Sequence, residues 1–235
     1  MLRKRKRLGA ESNDTDKLVF EPSDSNLEFI GWHWPVMSGC QNDCTYCNAK
    51  DQPVIFFHEQ LEAIHNTPIN SNNGHIRNHN VLVCPDSELF GPWVSSEWIN
   101  QVLDAVRQSP KWWNYLFLTK FPERLSEFDF PDNSWLGVSV DCQEHVQPAE
   151  QAFYGLDAPL KYVCVEPLQE PIHFNDLSLF DWLIIGSLSG TKSVKGRQPE
   201  WEWIESLLRQ ARQANVKIYF KANVVARPKE YPGQV

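Results

Sequence analysis

Seven short runs of almost unbroken apolar residues punctuate the chain, and most stretches between them carry apolar residues at helical intervals. The runs are residues 27–34 (LEFIGWHW), 80–84 (NVLVC), 114–119 (NYLFLT), 134–140 (SWLGVSV), 160–166 (LKYVCVE), 181–186 (DWLIIG) and 216–222 (VKIYFKA). Runs of this length with little polar alternation predict strands covered on both faces. In SSEWINQVLDAVRQSP, Trp98, Val102, Ala105 and Val106 fall at helical spacing behind Ser95 or Ser96 as the capping residue. PEWEWIESLLRQARQAN repeats the design, with Pro199 at its start and Trp203, Leu207 and Ala211 on one face. Shorter helices are predicted over 57–66, 122–128 and 148–156. Strands alternating with helices predict mainly parallel pairing with right-handed crossovers. Six or seven such units make an α/β fold, either a partial TIM-like barrel or a doubly wound sheet. No internal repeat or linker divides the chain.

Composition narrows the picture. In 235 residues, 42% are hydrophobic and 12% aromatic, enough for the core of one large domain. No apolar run is long enough for a membrane-spanning helix. The basic start MLRKRKRLGA lacks the apolar stretch of a signal peptide. A cytoplasmic location is therefore expected, where thiols stay reduced and clustered cysteines favour metal over disulfide. Residues 1–26 are polar and predicted to be a disordered leader, leaving residues 27–235 as the folded domain. The net charge is −8, and it becomes −13 once Arg3, Lys4, Arg5, Lys6 and Arg7 are set aside. An acidic body argues against a broad nucleic-acid face, and the basic arm offers only a weak local route to nucleic acid.

Loops beyond the carboxyl ends of parallel strands are where α/β proteins place their chemistry. Cys40, Cys44 and Cys47 follow the first run, and Asp86, Ser87 and Glu88 the second. Thr119 and Lys120 follow the third, Ser139 and Asp141 end the fourth, and Glu166 ends the fifth. Residues 186–190 (GSLSG) follow the sixth, and Lys221 and Asn223 the last. All are expected on one rim.

The cysteines carry the sharpest chemistry. Three thiolates can hold three irons of a [4Fe–4S] cluster, whose usual protein count is four cysteines. The fourth iron then keeps an open position, as catalytic metal sites require, which an amine and a carboxylate of one small molecule can chelate. A zinc ion on the same thiols with His33 or His58 is a competing reading, and unligated structural thiols a third. Cys84 and Cys164 sit inside apolar runs as small core residues, with Cys84 the alternative fourth ligand. Cys142 receives no role.

The spacing C-x3-C-x2-C, with Tyr46 directly before the third cysteine, resembles the signature of radical S-adenosylmethionine (SAM) enzymes. The likeness extends through WPVMSGCQNDCTYCNAK, VLVCPDSELFGPWVSSEWI, YLFLTKFPERL, NSWLGVSVDCQ, VCVEPLQEPI, DWLIIGSLSG and PEWEWIESLLRQARQANVKIYFKAN. Over residues 30–223 these segments resemble a phage-associated family of radical-SAM-like proteins of unknown function. The resemblance implies a partial TIM-like (βα)6 barrel with a [4Fe–4S] cluster on Cys40, Cys44 and Cys47, and SAM bound beside it. The implied activity is reductive cleavage of SAM to methionine and a 5′-deoxyadenosyl radical that acts on an unassigned substrate. A low-potential electron donor of flavodoxin or ferredoxin type is implied as partner. A cluster- or SAM-binding subunit without turnover, and a zinc-stabilised binding module, are the alternatives from other classes.

Each further candidate has a plainer reading beside it. Tyr46 is placed near the adenine, or is a packed aromatic. Ser87 and Glu88 suit the SAM amine, since a carboxylate attracts an ammonium, or they cap a helix. Ser139 and Asp141 suit the ribose hydroxyls or the surroundings of the SAM carboxylate, and Asp141 could also be a cap. Glu166, between Val165 and Pro167, needs a cation such as Lys120 or Lys221, which a structural ion pair would satisfy. Gly186 and Gly190 allow close backbone approach at the rim, or form turns. The chain departs from the family at Asn48, where Tyr is usual, and at Leu188, where the family often reads Gly-Gly-Glu-Ser-Gly and so carries a carboxylate.

Overall fold

A computed structural model describes residues 18–23, 27–67, 78–190 and 194–225. All seven apolar runs contribute strands to one sheet. A short edge strand, β1 (Glu21–Pro22), runs antiparallel along β2 (Trp32–Trp34). Two strands stand apart as an antiparallel hairpin, β3 (Met37–Cys40) and β4 (Gln52–Phe56). The main sheet continues through β5 (Asn80–Val83), β6 (Asn114–Thr119), β7 (Ser134–Ser139), β8 (Leu160–Val165), β9 (Trp182–Ile185) and β10 (Lys217–Phe220). From β2 onward every pair is parallel, and spatial order follows chain order without reversal.

That order decides between the two expected architectures. A doubly wound sheet reverses direction at a switch point and carries helices on both faces; this sheet does neither. The helices are α1 (Ala63–Asn66), α2 (Ser96–Gln108), α3 (Val146–Phe153) and α4 (Trp201–Gln213). Their buried hydrophobic residues all join one core cluster, together with Val163, Val165, Leu183, Ile185, Ile218 and Phe220 from the strands. The alternate strand residues Tyr162, Cys164, Trp182, Ile184 and Tyr219 form a second cluster without a single helix residue. Helices thus cover one face while the other curls onto itself, which is a partial barrel. It has seven parallel strands, one more than the sixfold expectation.

The second cluster is closed from below. Leu27 to Ile30 run in just before β2, and the Phe29 ring sits 4.4 Å from Trp182 and 5.0 Å from Tyr219. The Glu28 N–H donates to the Tyr219 hydroxyl at 3.3 Å. Each buried aromatic contributes about 1.5–3 kcal/mol over its exposed state, so this end is firmly stoppered.

Several expectations shift in detail. The leader predicted over residues 1–26 ends too late: Phe20 is fully buried against Trp34, Trp113 and Tyr115, and β1 pairs with β2. Residues 1–17 and 24–26 of that leader lie outside the described residues. Ser95 is the cap of α2, accepting from the Trp98 N–H at 3.3 Å. The buried stripe of α2 is Ile99, Val102, Leu103 and Val106, one position past Trp98. Trp98 instead stacks on Phe56 of β4, with centroids 5.1 Å apart. In α4, Ile204, Leu207 and Ala211 are buried, while Trp203 lies half-buried under the Arg197 guanidinium. The stretch 122–128 forms a 3-10 turn, Pro122–Glu127, and 57–66 begins with another, His58–Glu62. Among the described residues no helix is long and apolar enough to cross a membrane.

Candidate functional site

The cysteine loop is the tip of the β3–β4 hairpin. Gly39 enters it with φ at +80°, and a Cβ there would lie 2.0 Å from the Pro53 carbonyl oxygen. Only glycine allows the two backbones to come this close. The register shifts between Ser38 and Cys40, which turns Cys40 opposite Gln52. Ser87, just beyond β5, anchors the hairpin to the barrel by donating its hydroxyl to the Gly39 carbonyl at 2.7 Å. An ion pair between Lys50 and Asp43 ties the loop across its own base.

Each sulfur in the loop accepts a hydrogen bond from a nearby amide. The Asn42 backbone N–H reaches Cys40 Sγ at 3.3 Å, and its side-chain amide reaches Cys44 Sγ at 3.4 Å. The Ala49 N–H reaches Cys47 Sγ at 3.4 Å. All three cysteines line an open cavity of about 340 Å³ with Ser87, Glu88, Lys120 and Ser139. That volume suits a small-molecule site, and the cavity opens at the carboxyl end of β5, β6 and β7, as expected from the strand pattern.

Glu88 is buried at 7% exposure, and its carboxylate is held by the neighbouring strand end. It accepts from Thr119 Oγ1 at 2.7 Å, the Lys120 N–H at 2.9 Å and the Phe90 N–H at 3.1 Å. Burial pushes its carboxyl above the ordinary range against the pull of these donors.

Asp141 gathers three partners. Lys120 Nζ lies 2.7 Å from Oδ2, the Tyr46 hydroxyl donates to the same oxygen, and His145 Nδ1 is 2.7 Å from Oδ1. Burial pushes this carboxyl up, but Lys120, Tyr46 and His145 together outweigh it and hold it below the usual range. Burial likewise raises the Cys44 thiol, while Lys120 and a hydrogen bond from Tyr46 draw it down and Asp141 pushes it up. Cys142, to which the sequence reading gave no role, sits 3.3 Å from His145 Nδ1. The spacing Asp-Cys-x-x-His directly after a strand end was the signal for this group. Cys164 faces the barrel interior and Cys84 the outer core; burial pushes the first up to about 12 and raises the second.

Glu166 and Gly186 lie further round the rim, outside the cavity. Lys221 Nζ is 2.5 Å from Glu166 Oε2, and the Asn223 amide donates to Oε1 at 3.3 Å. Of the two lysines expected as partner, Lys221 takes Glu166 and Lys120 takes Asp141. Gly186 on the intervening strand explains the pairing: a Cβ there would sit 2.5 Å from Glu166 Cδ. Its missing side chain lets the carboxylate cross from β8 towards β10. Leu188 forms a two-way backbone bridge with Arg197. Gly186→Ala should break the Glu166–Lys221 pair, lowering stability by about 1–3 kcal/mol in urea unfolding. In a Glu166→Ala background the same change should cost less than about 0.5 kcal/mol, because the clash is gone.

The comparisons with known proteins fit this architecture. A mutant of spore photoproduct lyase superposes with a TM-score of 0.58 at 12% identity, covering 88% of this chain and 79% of that one. A second mutant of the same enzyme gives 0.56 at 12% identity, with 87% and 80% covered. That second mutant with dinucleoside spore photoproduct gives 0.55 at 12% identity, again with 87% and 80% covered. At this identity the likeness is one of fold, a partial TIM barrel. No curated protein matches the sequence. Residues 24–229 match the family described as Protein of unknown function (DUF5131), and the chain belongs to that family.

Proposed function

We propose that the chain is a radical SAM-type iron–sulfur enzyme in which Cys40, Cys44 and Cys47 hold a [4Fe–4S] cluster beside bound SAM. The observation that carries this reading is the convergence of the three thiols on one cavity, each with an amide hydrogen bond at its sulfur. Such hydrogen bonds stabilise thiolates and tune the clusters they hold. The spread of the sulfurs agrees. Among the described residues, only Asp141, Cys142 and His145 bring three metal-ligand atoms within 4.8 Å of one another. A lone zinc ion, with sulfurs about 2.3 Å away, would draw its ligands within about 4 Å of each other. His33 bonds to Ser23 and His58 packs on Phe56, and neither lines the cavity. Neither histidine considered as the fourth ligand of a zinc ion therefore supports that reading.

Cys40, Cys44 and Cys47 would hold the cluster, which would supply the one-electron reduction that cleaves SAM. The protein's part is to bind, orient and exclude water. We assign Glu88 to the SAM ammonium, since its carboxylate is fixed by three donors and lines the cavity. Ser139, on the same wall, is assigned to the ribose hydroxyls. Ser87 holds the hairpin through Gly39 and acts by position. Tyr46 and Asp141 bond to each other and hold the loop, in place of the adenine and ribose contacts expected for them. Glu166 and Gly186 shape the far rim. The fold likeness to spore photoproduct lyase, a radical SAM enzyme, and the sequence resemblance to phage-associated radical-SAM-like proteins support the same reading. A flavodoxin- or ferredoxin-type donor in the reducing cytoplasm would complete it.

Anaerobic reconstitution should load about four irons per chain, with matching sulfide. Dithionite and SAM should then release 5′-deoxyadenosine. One zinc per chain without sulfide would overturn the reading. A loaded cluster that releases no 5′-deoxyadenosine would move the protein to the class of binding subunits.

A further inference from the structure

Lys120 has no place in the ligand set, yet it touches nearly everything around it. It directly follows β6, with a side chain only 16% exposed, and its ammonium meets Asp141 Oδ2 at 2.7 Å. The same ammonium lies 5.6 Å from the centroid of the Tyr46 ring. Tyr46 donates its hydroxyl to that carboxylate, and its own position is one residue from Cys47. Lys120 also lines the cavity holding the three thiols. A fixed positive and a fixed negative charge thus stand side by side, both shielded from water, at the wall of the cysteine loop.

We infer that the Lys120–Asp141 pair sets the reduction potential of the cysteine-held cluster from outside its ligands, the two charges acting in opposite senses. The inference rests on the cluster reading above. Reduction adds one negative charge to the cluster. A nearby ammonium favours that state and a nearby carboxylate disfavours it, and burial leaves both little screened. Glu88 adds a second carboxylate on the Cys40 side, and the Lys50–Asp43 pair is largely exposed at its acidic end and so weaker. Lys120 and Asp141 are positioning residues whose charges act through space on the cluster; the potential is a readout that a purely structural role would not move in two directions.

The test is a redox titration followed by electron paramagnetic resonance on reconstituted full-length protein. Lys120→Met should lower the midpoint so that the reduced-to-oxidised ratio at fixed potential falls at least tenfold, about 59 mV for one electron. Asp141→Asn, which keeps an oxygen for Tyr46, should raise the ratio at least tenfold. Lys120→Arg, which restores the charge, should stay within threefold of wild type. Iron content should be unchanged in all three. Potentials that stay within threefold in the first two variants, or that move in the same direction, overturn the inference. A wild-type chain that takes up no iron overturns the cluster reading itself, and iron analysis separates that outcome from the others.

Discussion

Cys44→Ala should abolish cluster loading and 5′-deoxyadenosine release together while leaving the fold in place. The thiol sits in the loop between β3 and β4, half-exposed and outside both core clusters. Its removal deletes no buried packing, so the metal-free protein should unfold within about 0.5 kcal/mol of wild type. Two thiolates cannot hold a cubane that already lacks one protein ligand. Iron and sulfide analysis should therefore fall to background, and the visible absorbance of the cluster should vanish. Unchanged iron content in this variant would exclude Cys44 as a ligand. Serine at the same position should fail too, because its hydroxyl stays protonated and binds iron far more weakly than a thiolate.

The second large effect is expected at a residue with no functional group at all. Gly39→Ala places a Cβ 2.0 Å from the Pro53 carbonyl oxygen in a backbone already at φ +80°. The left-handed conformation alone costs a non-glycine residue about 1–2 kcal/mol. The clash is with main chain on the partner strand, so no side chain can swing away to relieve it. We expect a loss of about 3 kcal/mol in all, through unpairing of β3 from β4, and iron loading below half of wild type. Gly155 supplies the control. Its φ is +74°, but an added Cβ would meet nothing within 4 Å. Gly155→Ala should show only the conformational cost and keep its iron. Equal losses in the two variants would remove the hairpin from the explanation.

These two residues also mark what the amino-acid pattern could and could not disclose. Strands buried on both faces leave long apolar runs, so all seven parallel strands were readable, and with them the rim on which the cysteines lie. The hairpin was not. Its second strand, QPVIF, is mostly exposed and contains Pro53, so it carries neither an unbroken apolar run nor clear alternation. Missing it also displaced Trp98, whose ring belongs to the hairpin side of α2. Charged residues at strand ends looked alike in sequence because their roles depend on which strand lies next door. Nothing in the sequence around Glu88 shows that the Thr119 hydroxyl and the Lys120 N–H reach across to fix its carboxylate at the cavity wall. Lys120 and Lys221 were interchangeable candidates for Glu166 until strand order put Gly186 between Glu166 and Lys221. The two-residue strand β1 is too short for any periodicity, and only the burial of Phe20 beside it shows that the fold begins so early.

The aromatic plug beneath the barrel has a kinetic corollary. With Phe29 wedged against Trp182 and Tyr219, the lower end of the barrel is filled by rings, whereas the cavity of the three sulfurs opens at the upper end. On the function proposed above, SAM and substrate would both enter by the upper opening and so would share one doorway. Binding in such a vessel would then be ordered, with the molecule that lies deeper, beside the sulfurs, entering before a bulky one settles over the entrance.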